Sequence, residues 1–379
     1  MKIPILRIPF SDEDISFITG RIQEILKSGQ LAMGKNVKEF EEGFARFCET
    51  QYCIGTNSGT SALEIALRCF DVENKIVIVP ASTFMSTIFA PVHAGGKITF
   101  IDITKEDLSI DPEKLNEKIT KDTKVIILVH IGGIISHHLK EIKKICKDNN
   151  VLLLEDGAHA HGATIDGKKA GSLGDVGAFS FYPTKIMTSG EGGAITTNSP
   201  LVDKWARVWR DEGKEDTRLN IHPVFGNNWR LTEFHAAVAI SQLNKINWIL
   251  SERRKIAHWY DSKLKNVSGI SLLKIPEKIQ SSYYKYIVFL DEDIERNCVK
   301  KELKEKFDVS LTGEVYEFPC YNQPVFKNNP HIKQNKENER FPVADYICKN
   351  QICLPLYPGL LEPEVDYVVE SLKTVLSAV

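Results

Sequence analysis

Short apolar runs alternate with helical patterns through the first half of this 379-residue chain. Residues 76–79, 125–130 and 151–154 are apolar at nearly every position, which is typical of strands that are covered on both faces. Helical periodicity lies between these runs, for example at residues 139–149. Strands that alternate with helices in this way predict an α/β fold with a parallel or mostly parallel sheet.

The rest of the chain divides into a continuation of this pattern and a segment of different character. In the first part we predict further strands at 52–56, 98–102 and 194–197, and helices at 11–27, 37–47, 61–69 and from about residue 86. A long helical pattern then runs from 231 to 258, followed by a strand at 282–290, helices at 299–307 and 362–376, and a polar loop at 327–339. We therefore predict a large α/β domain at residues 1–245 and a smaller C-terminal α+β domain at 246–379.

Composition narrows the classes of function and partner. A net charge of −2 gives no basis for a nucleic-acid or anionic-membrane partner, and no apolar stretch is long enough to span a bilayer. The first ten residues lack the apolar core of a signal peptide, and the eight cysteines show no CxxC spacing. We expect a cytoplasmic protein with reduced thiols.

Lys185 and Asp156 are the residues on which a catalytic interpretation depends. Lys185 follows an apolar run and is surrounded by small and hydroxylic residues, whereas Asp156 ends another apolar run. A lysine amine can form a Schiff base with pyridoxal phosphate (PLP), and a carboxylate can keep the ring nitrogen of that cofactor protonated. Because ligands bind beyond the carboxyl ends of parallel strands, Asp156 is expected at the functional edge of the sheet.

A phosphate cup can also be assigned. Gly59 and Thr60 lie between a predicted strand and helix, where backbone amides and a hydroxyl make an anion site, and Ser180 could add a second hydroxyl. A rival phosphate signal at residues 162–169 (GATIDGKK) has Lys169 where a P-loop has Ser or Thr, and no strand precedes it. We interpret it as a hairpin or loop.

Two aromatic candidates accompany these groups. His159 lies one helical turn beyond Asp156, where it could lie against a flat cofactor ring or contact its phenolic oxygen, and Phe84 could cover the other face of that ring. An alternative role for His159 and His161 is metal binding. The two side chains share a face only in an extended segment, and no fourth ligand is evident. We therefore predict no metal site.

Taken together, these segments resemble the DegT/StrS family of PLP-dependent sugar aminotransferases, which has the aspartate aminotransferase-like fold (fold type I). The resemblance covers nearly the whole chain and rests on the order and spacing of short motifs. The matching segments are 29–34 (GQLAMG), 57–63 (NSGTSAL), 79–84 (VPASTF), 154–162 (LEDGAHAHG), 171–175 (GSLGD), 179–185 (FSFYPTK), 190–193 (GEGG) and 228–237 (NWRLTEFHAA).

The resemblance assigns roles to individual positions. Lys185 looks like the lysine of the internal aldimine and Asp156 like the ring-nitrogen carboxylate, and both are expected to be catalytic together with His159. The remaining cofactor-binding positions are the phosphate cup of Gly59, Thr60 and Ser180, the stacking aromatic Phe84, and Asn228, which matches a residue that reaches the phosphate of the neighbouring subunit. The last match implies a homodimer with shared active sites.

The implied reaction is a ping-pong transfer of an amino group from L-glutamate to a keto group of a nucleotide-activated deoxysugar, with pyridoxamine phosphate as the intermediate form of the cofactor. Some relatives with histidine at the position of Lys185 dehydrate sugars, so the lysine favours transamination. Amination of a cyclitol or aminoshikimate-type ring, or a non-catalytic PLP-binding regulator, stays open as an alternative. The chain departs from the family at Gly157, where alanine is commoner, at 129–133 and 136–138, and at 316–319.

Overall fold

The computed structural model describes residues 1–216, 218–311, 315–329, 332–336 and 339–378. The strands are β1 (Tyr52–Thr56), β2 (Ile76–Pro80), β3 (Lys97–Ile101), β4 (Thr123–Val129), β5 (Leu152–Asp156), β6 (Thr164–Ile165), β7 (Lys168–Lys169), β8 (Val176–Ser180), β9 (Gly193–Thr197), β10 (Ile270–Leu272), β11 (Ile279–Gln280), β12 (Tyr286–Leu290) and β13 (Gln351–Leu354).

The helices flank these strands. They are α1 (Asp12–Ser28), α2 (Lys35–Cys48), α3 (Gly59–Cys69), α4 (Met85–His93), α5 (Pro112–Lys118), α6 (Leu139–Asp148), α7 (Pro200–Arg210), α8 (Glu233–Asn244), α9 (Ile246–Leu264), α10 (Arg296–Phe307), α11 (Val325–Asn328), α12 (Pro342–Asn350) and α13 (Glu362–Leu376). In the part of the chain that the structure describes, no helix has both the length and the apolar character needed to cross a bilayer.

The large sheet has seven strands in the order β1-β9-β8-β5-β4-β2-β3. Neighbouring strands from β8 to β3 run parallel, and only β9 is antiparallel to its neighbours. Alternate residues of the central strands pack into two different apolar clusters, Val125 and Ile127 into one and Ile126 and Leu128 into the other. The predicted α/β fold with a mostly parallel sheet covered on both faces is confirmed.

A second, three-stranded antiparallel sheet has the order β10-β12-β13 and packs with α9, α10 and α13. Ile3 belongs to the same apolar cluster and forms a parallel bridge with Val309. The first residues of the chain therefore pack with this sheet rather than with the large one. The division at residues 1–245 and 246–379 stays a prediction, and these contacts place the N-terminal residues outside its first part.

Several predicted boundaries are wrong. The single helix predicted from 231 to 258 is two helices, α8 and α9, because the chain leaves helical geometry at Lys245. The strand predicted from 282 begins only at Tyr286, since the preceding residues bond instead to the loop after β4, as in Ser282 N to Gly133 O at 3.1 Å.

Three further segments can be compared with the sequence-based predictions. Strand β8 was not predicted, and it lies in the centre of the sheet beside β5. The predicted polar loop at 327–339 begins instead with the last turn of α11, and its residues 330–331 and 337–338 lie outside the described residues. Residues 162–169, interpreted from the sequence as a hairpin or loop, contain a hairpin, in which β6 and β7 pair antiparallel through Asp166 and Gly167 in left-handed conformations.

Candidate active site

A cavity of about 450 Å³ opens at the carboxyl edge of the large sheet. Strands β1, β2, β4, β5 and β8 all end at this edge, which is where an open α/β sheet binds its ligands. Seven of the eight predicted cofactor-binding residues line the cavity: Gly59, Thr60, Phe84, Asp156, His159, Ser180 and Lys185. Asn228 is the exception.

Lys185 lies in the loop that follows β8. This loop is closed by backbone hydrogen bonds from Phe181 N to Gly192 O and from Ser189 N to Phe181 O, at 2.9 and 3.0 Å. The Lys185 Nζ atom lies 4.8 Å from the centre of the Tyr284 ring. Burial lowers the pKa of Lys185 to about 8, with the nearby Lys285 acting in the same direction and Asp156 opposing it. About a tenth of the amine is therefore neutral at pH 7, roughly two hundredfold more than for a lysine of unperturbed pKa.

Asp156 is the last residue of β5, and its side chain is buried. Thr87 Oγ1 donates a hydrogen bond to Asp156 Oδ2 at 2.8 Å, and the Ala158 amide donates to Oδ1 at 3.2 Å. Burial raises the pKa of Asp156, whereas these two hydrogen bonds and the Lys185 charge lower it. The carboxylate is held in place on both oxygens at the base of the cavity.

The amino-terminal end of α3 forms one wall. Ser58 caps the helix by accepting from Ser61 N at 3.1 Å, so that Gly59 and Thr60 stand in the first turn, where backbone N–H groups and the helix dipole favour an anion. A Cβ atom on Gly59 would lie 2.7 Å from Ser180 Cβ, so the approach of α3 to β8 requires glycine. The Thr60 and Ser86 hydroxyls, 2.7 Å apart, add oxygen ligands at the same wall.

Aromatic rings form the remaining walls. The His159 ring stacks on Tyr284 with centroids 4.0 Å apart and planes at 21°, and Tyr316 lies 6.1 Å from His159 on a nearly parallel plane. Phe84 is 60% exposed and lies 6.4 Å from Tyr316, at the mouth of the cavity. Burial lowers the pKa of His159 well below its usual range, so the imidazole is neutral.

Asn228 is exposed and lies outside the cavity of its own chain. Its backbone pairs with Asp211 in an isolated antiparallel bridge, and its carbonyl oxygen accepts from Asn57 Nδ2 at 3.4 Å. The side chain therefore does not join the other seven predicted residues within one subunit.

Sequence reasoning missed several residues of the site, among them Ser86, Thr87, Tyr284 and Lys285. Thr87 gave no signal, because its contact with Asp156 joins segments that are 69 positions apart in the sequence. Tyr284 gave none, since its segment reads as the beginning of a strand.

The surroundings of His161 do not support the alternative role in metal binding. Its ring is buried against Phe44, Phe179 and Phe181, with centroid distances of 6.4, 5.2 and 5.6 Å. Burial lowers the pKa of His161 to about 3. Among the described residues, no group of three or more His, Cys, Asp or Glu side chains could hold a metal ion.

Gly157 has a packing reason for departing from alanine. A Cβ atom at this position would lie 2.7 Å from Cε1 of the Phe179 ring, which is fully buried. Glycine therefore leaves room for Phe179 beneath the loop that carries His159.

Comparison with known proteins identifies the family to which this site belongs. The model of the DegT/DnrJ/EryC1/StrS aminotransferase family matches residues 12–373. The chain belongs to this family. The resemblance inferred from the motifs is confirmed, and so is the enzyme class: the protein is an aminotransferase that uses PLP.

Named relatives of this aminotransferase act on nucleotide sugars. GDP-perosamine synthase of Caulobacter vibrioides is 31% identical over 91% of this chain and 91% of its own length. The dTDP-3-amino-3,6-dideoxy-alpha-D-galactopyranose transaminase of Aneurinibacillus thermoaerophilus is 33% identical over 93% of each chain. A Streptococcus pneumoniae protein, Spr1654, solved in its PMP form, has a TM-score of 0.90 at 27% identity, covering 100% of this chain and 98% of that one.

The site has the features that PLP needs. Lys185 offers an amine of lowered pKa and Asp156 a buried carboxylate, and the amino-terminal end of α3 offers a site for the phosphate. The glycine at position 59 leaves the space that a side chain would fill. The aspartate aminotransferase-like fold expected for this family is confirmed by the agreement with Spr1654 over the full chain.

Proposed function

We propose that this aminotransferase transfers an amino group from L-glutamate to a keto group of a nucleotide-activated deoxysugar, by a ping-pong mechanism. The observation that carries the proposal is the meeting of Lys185, Asp156 and the amino-terminal end of α3 in one cavity of a DegT/DnrJ/EryC1/StrS aminotransferase. The relatives that act on GDP- and dTDP-linked sugars support the class of substrate.

We assign the chemistry to this chain's residues as follows. Lys185 holds the cofactor and moves the proton at the substrate α-carbon, which requires a neutral amine and is favoured by its lowered pKa. Asp156 would face the ring nitrogen of PLP, and Thr60, Ser180 and the amides of α3 would hold its phosphate. His159 would lie against the ring or contact its phenolic oxygen. When bound, PLP supplies the electron sink that stabilises the carbanion.

One cavity has to serve two substrates in turn. Its volume of about 450 Å³ lies within the usual range for small-molecule sites, and the exposed Phe84 ring stands at its mouth. An amino acid fits inside such a cavity, whereas the nucleotide of the ketosugar acceptor has to extend beyond the mouth. The nucleotide is therefore expected to contact surface residues rather than the catalytic groups.

The decisive experiment follows the visible absorption of the purified protein with bound PLP before and after addition of L-glutamate. The wild type is expected to lose the cofactor's long-wavelength band and gain that of pyridoxamine phosphate. Lys185→Ala should show no turnover, and Asp156→Asn should keep the cofactor and lose most of its activity. Lys168→Ala, on the exposed β7 hairpin, is the control and should behave as wild type.

Three outcomes would contradict parts of the proposal. An active Lys185→Ala protein would overturn the role of that lysine, and near-normal turnover in Asp156→Asn would overturn the ring-nitrogen role. Bound cofactor that does not respond to L-glutamate or any other amino acid would point to a regulator without turnover.

The amino acceptor is tested in the second half-reaction. Protein converted to the pyridoxamine form is mixed with ketosugars carrying GDP, dTDP or UDP and with cyclic ketones that lack a nucleotide. Recovery of the long-wavelength band only with a nucleotide-linked ketosugar supports the proposal. Recovery only with a cyclitol or aminoshikimate-type ketone would replace the sugar as the substrate class.

We also propose that the enzyme is a homodimer in which Asn228 reaches the phosphate of the neighbouring subunit. Its exposed position outside its own cavity supports this arrangement. The nearby loop exposes three large apolar side chains, Leu219, Ile221 and Phe225, which are 52%, 65% and 95% exposed. Apolar surface of this kind is typical of a protein interface.

The proposed location is the cytoplasm. Seven cysteines are free thiols, five of them buried: Cys48, Cys53, Cys69, Cys146, Cys298, Cys320 and Cys348. Unpaired thiols in this number fit a reducing compartment. Fractionation of the native source, with the protein found in the membrane or exported fraction, would contradict this location.

A further inference from the structure

Thr87 connects the α4 helix to the carboxylate at the base of the cavity. It lies in the first turn of α4 and is fully buried, and its Oγ1 donates to Asp156 Oδ2 at 2.8 Å. Thr87 does not line the cavity, so it can affect the cofactor only through Asp156.

The number of available hydroxyl protons determines the direction of the hydrogen bond between Thr83 and Thr87. A hydroxyl has one proton, and that of Thr87 is donated to the carboxylate, so the 2.9 Å hydrogen bond between Thr83 Oγ1 and Thr87 Oγ1 is donated by Thr83. Two hydroxyls therefore donate in series toward Asp156.

The Thr83 end of this series is held in place. Cys320 joins the Tyr316 segment to the loop after β2, donating from Sγ to Thr83 O and from its amide to Ala81 O, each at 2.8 Å. Gln351 Nε2, at the start of β13, holds the Tyr316 segment by donating to Tyr316 O at 3.1 Å. Burial raises the pKa of the Tyr316 phenol, and the Asp156 charge acts in the same direction, so the phenol stays protonated.

We propose that Thr87 and Thr83 are positioning residues that form a directed hydroxyl chain, keeping Asp156 ionised and its oxygens oriented toward the cofactor ring nitrogen. Hydrogen bonds to a charged acceptor are stronger than neutral ones, and bonds in series polarise one another. The functional part of the inference rests on the role proposed above for Asp156. The hydroxyl chain itself does not.

Other groups also act on Asp156. The titratable side chains that face it are Lys185, from the loop after β8, His130, which follows β4, and Tyr316. Burial opposes the ionised carboxylate more than any other single cause. Removing a donor from one oxygen should therefore shift the balance toward the protonated acid.

The first test measures the titration of Asp156 directly, in full-length protein freed of cofactor and labelled with ¹³C at the aspartate carboxyl. Asp156→Asn assigns the signal. Thr87→Val keeps the shape of the side chain and removes the hydroxyl, so the titration midpoint should rise by about one pH unit, as expected for a lost hydrogen bond to a charged group. Thr87→Ser restores the donor and should titrate close to wild type. An unchanged midpoint in Thr87→Val would overturn the proposal.

The second test asks whether the hydroxyls act as one chain. Thr83→Val keeps the shape of the side chain and removes the first donor, so it should raise the same midpoint by less than Thr87→Val does. Because Thr83 acts only through Thr87, adding Thr83→Val to Thr87→Val should produce no further shift. A full additional shift in the double variant would show that Thr83 acts on Asp156 independently, which contradicts the chain.

The third test moves to the protein with bound cofactor, labelled with ¹⁵N at the ring nitrogen. The wild type and Thr87→Ser should show the chemical shift of a protonated ring, whereas Thr87→Val should move toward the unprotonated value, because a less stabilised carboxylate takes up the proton. An unchanged ring signal in Thr87→Val would overturn the link to the cofactor. Failure of the wild type to bind PLP would instead contradict the proposed function, and the ¹³C titration would still decide on the chain.

Discussion

At the scale of single residues, the site depends on burying groups that are charged in water. Lys185 and Asp156 lie in one cavity, and burial is the first cause of the pKa shift of both, downward for the lysine and upward for the carboxyl. Burial thus favours the neutral form of each group. A larger share of the lysine is neutral and able to accept a proton at neutral pH, whereas the carboxylate needs donors such as Thr87 to stay ionised.

The pKa of Lys185 leads to a prediction about stability. Its pKa is about 8 in the folded protein and ~10.4 when unfolded, so between these values the unfolded state binds more protons. Stability contributed by this group therefore rises with pH from 8 to 10.4. The Lys185→Met variant has no ionisable group at this position, so its stability should not show this rise with pH. At pH 7 it should be more stable than wild type by on the order of 2 kcal/mol, since the residue keeps some exposure, and the difference should vanish near pH 11.

Urea unfolding of cofactor-free protein at pH 7, 8.5 and 10 measures this difference. Lys168→Met is the control, because an exposed substitution should change the free energy of unfolding by less than about 0.5 kcal/mol. A difference between Lys185→Met and wild type that does not shrink as the pH rises would contradict the prediction.

Sequence patterns predicted Lys185 and Asp156 as site residues, but not the contacts that shift their pKa values. Asp156 could be placed because strand ends share one edge of a parallel sheet, and Lys185 because its motif resembles a known family. Thr87 and Tyr284 could not be placed, since their positions relative to Asp156 and Lys185 depend on how segments distant in sequence pack. Short sequence motifs are enough to predict which residues are catalytic. The residues that shift their pKa values come from distant segments and are known only from the tertiary structure.

At the scale of elements, helix α2 is capped by a side chain from another helix. Its N-cap residue, Gly34, has no side chain to accept a hydrogen bond. The carboxylate of Glu233, the first residue of α8, accepts instead from Gly34 N, Asn36 N and Val37 N at 2.8, 2.8 and 2.9 Å, and from Asn36 Nδ2 at 2.7 Å. Glu233 thereby joins α2 to α8 across almost 200 residues of sequence.

Glu233→Gln is expected to destabilise the protein by about 2–4 kcal/mol. Each carboxylate oxygen accepts two hydrogen bonds, so the amide NH₂ of glutamine has to face two donors whichever way it turns. Glu42→Gln, on the exposed face of α2, is the matched control and should change stability by less than about 0.5 kcal/mol. The two free energies of unfolding come from denaturant titration, and equal values for the two variants would contradict the capping role.

Element boundaries show what sequence periodicity can and cannot give. The ends of α13 agree with the prediction of 362–376, because proline at the first turn and an amphipathic pattern define it locally. The break between α8 and α9 was missed, since the apolar pattern continues across Lys245. The late start of β12 was also missed, because it is set by bonds to the loop after β4.

At the scale of the whole molecule, the proposed dimer makes each active site the product of two chains. Asn228 and Lys185 would then belong to opposite subunits at every site. This arrangement predicts that two inactive variants can complement one another. Neither substitution needs to disturb folding, since Asn228 is exposed and Lys185 lies in a loop.

Lys185→Ala and Asn228→Asp, mixed after unfolding and refolded together, should recover about a quarter of wild-type activity. Random pairing gives about half heterodimers, each with one intact and one doubly altered site, and the aspartate charge repels the phosphate in homodimers of that variant. The measurement is transaminase activity of the mixture against each variant refolded alone. Activity no higher than the average of the two separate variants, or a monomer by light scattering, would contradict shared sites.

The bridge between Ile3 and Val309 has a consequence for how the chain is made. Ile3 is fully buried, and its backbone bonds to Asp308 and Ser310 at 3.1 Å. At a ribosomal rate of about 5–20 residues per second, the first residues wait for roughly 15–60 s before their partners are synthesised. During that interval Ile3 and its apolar neighbours lie exposed on the nascent chain. Ile3 is therefore made early but reaches its place late, and the second sheet is completed only after β13 has been synthesised.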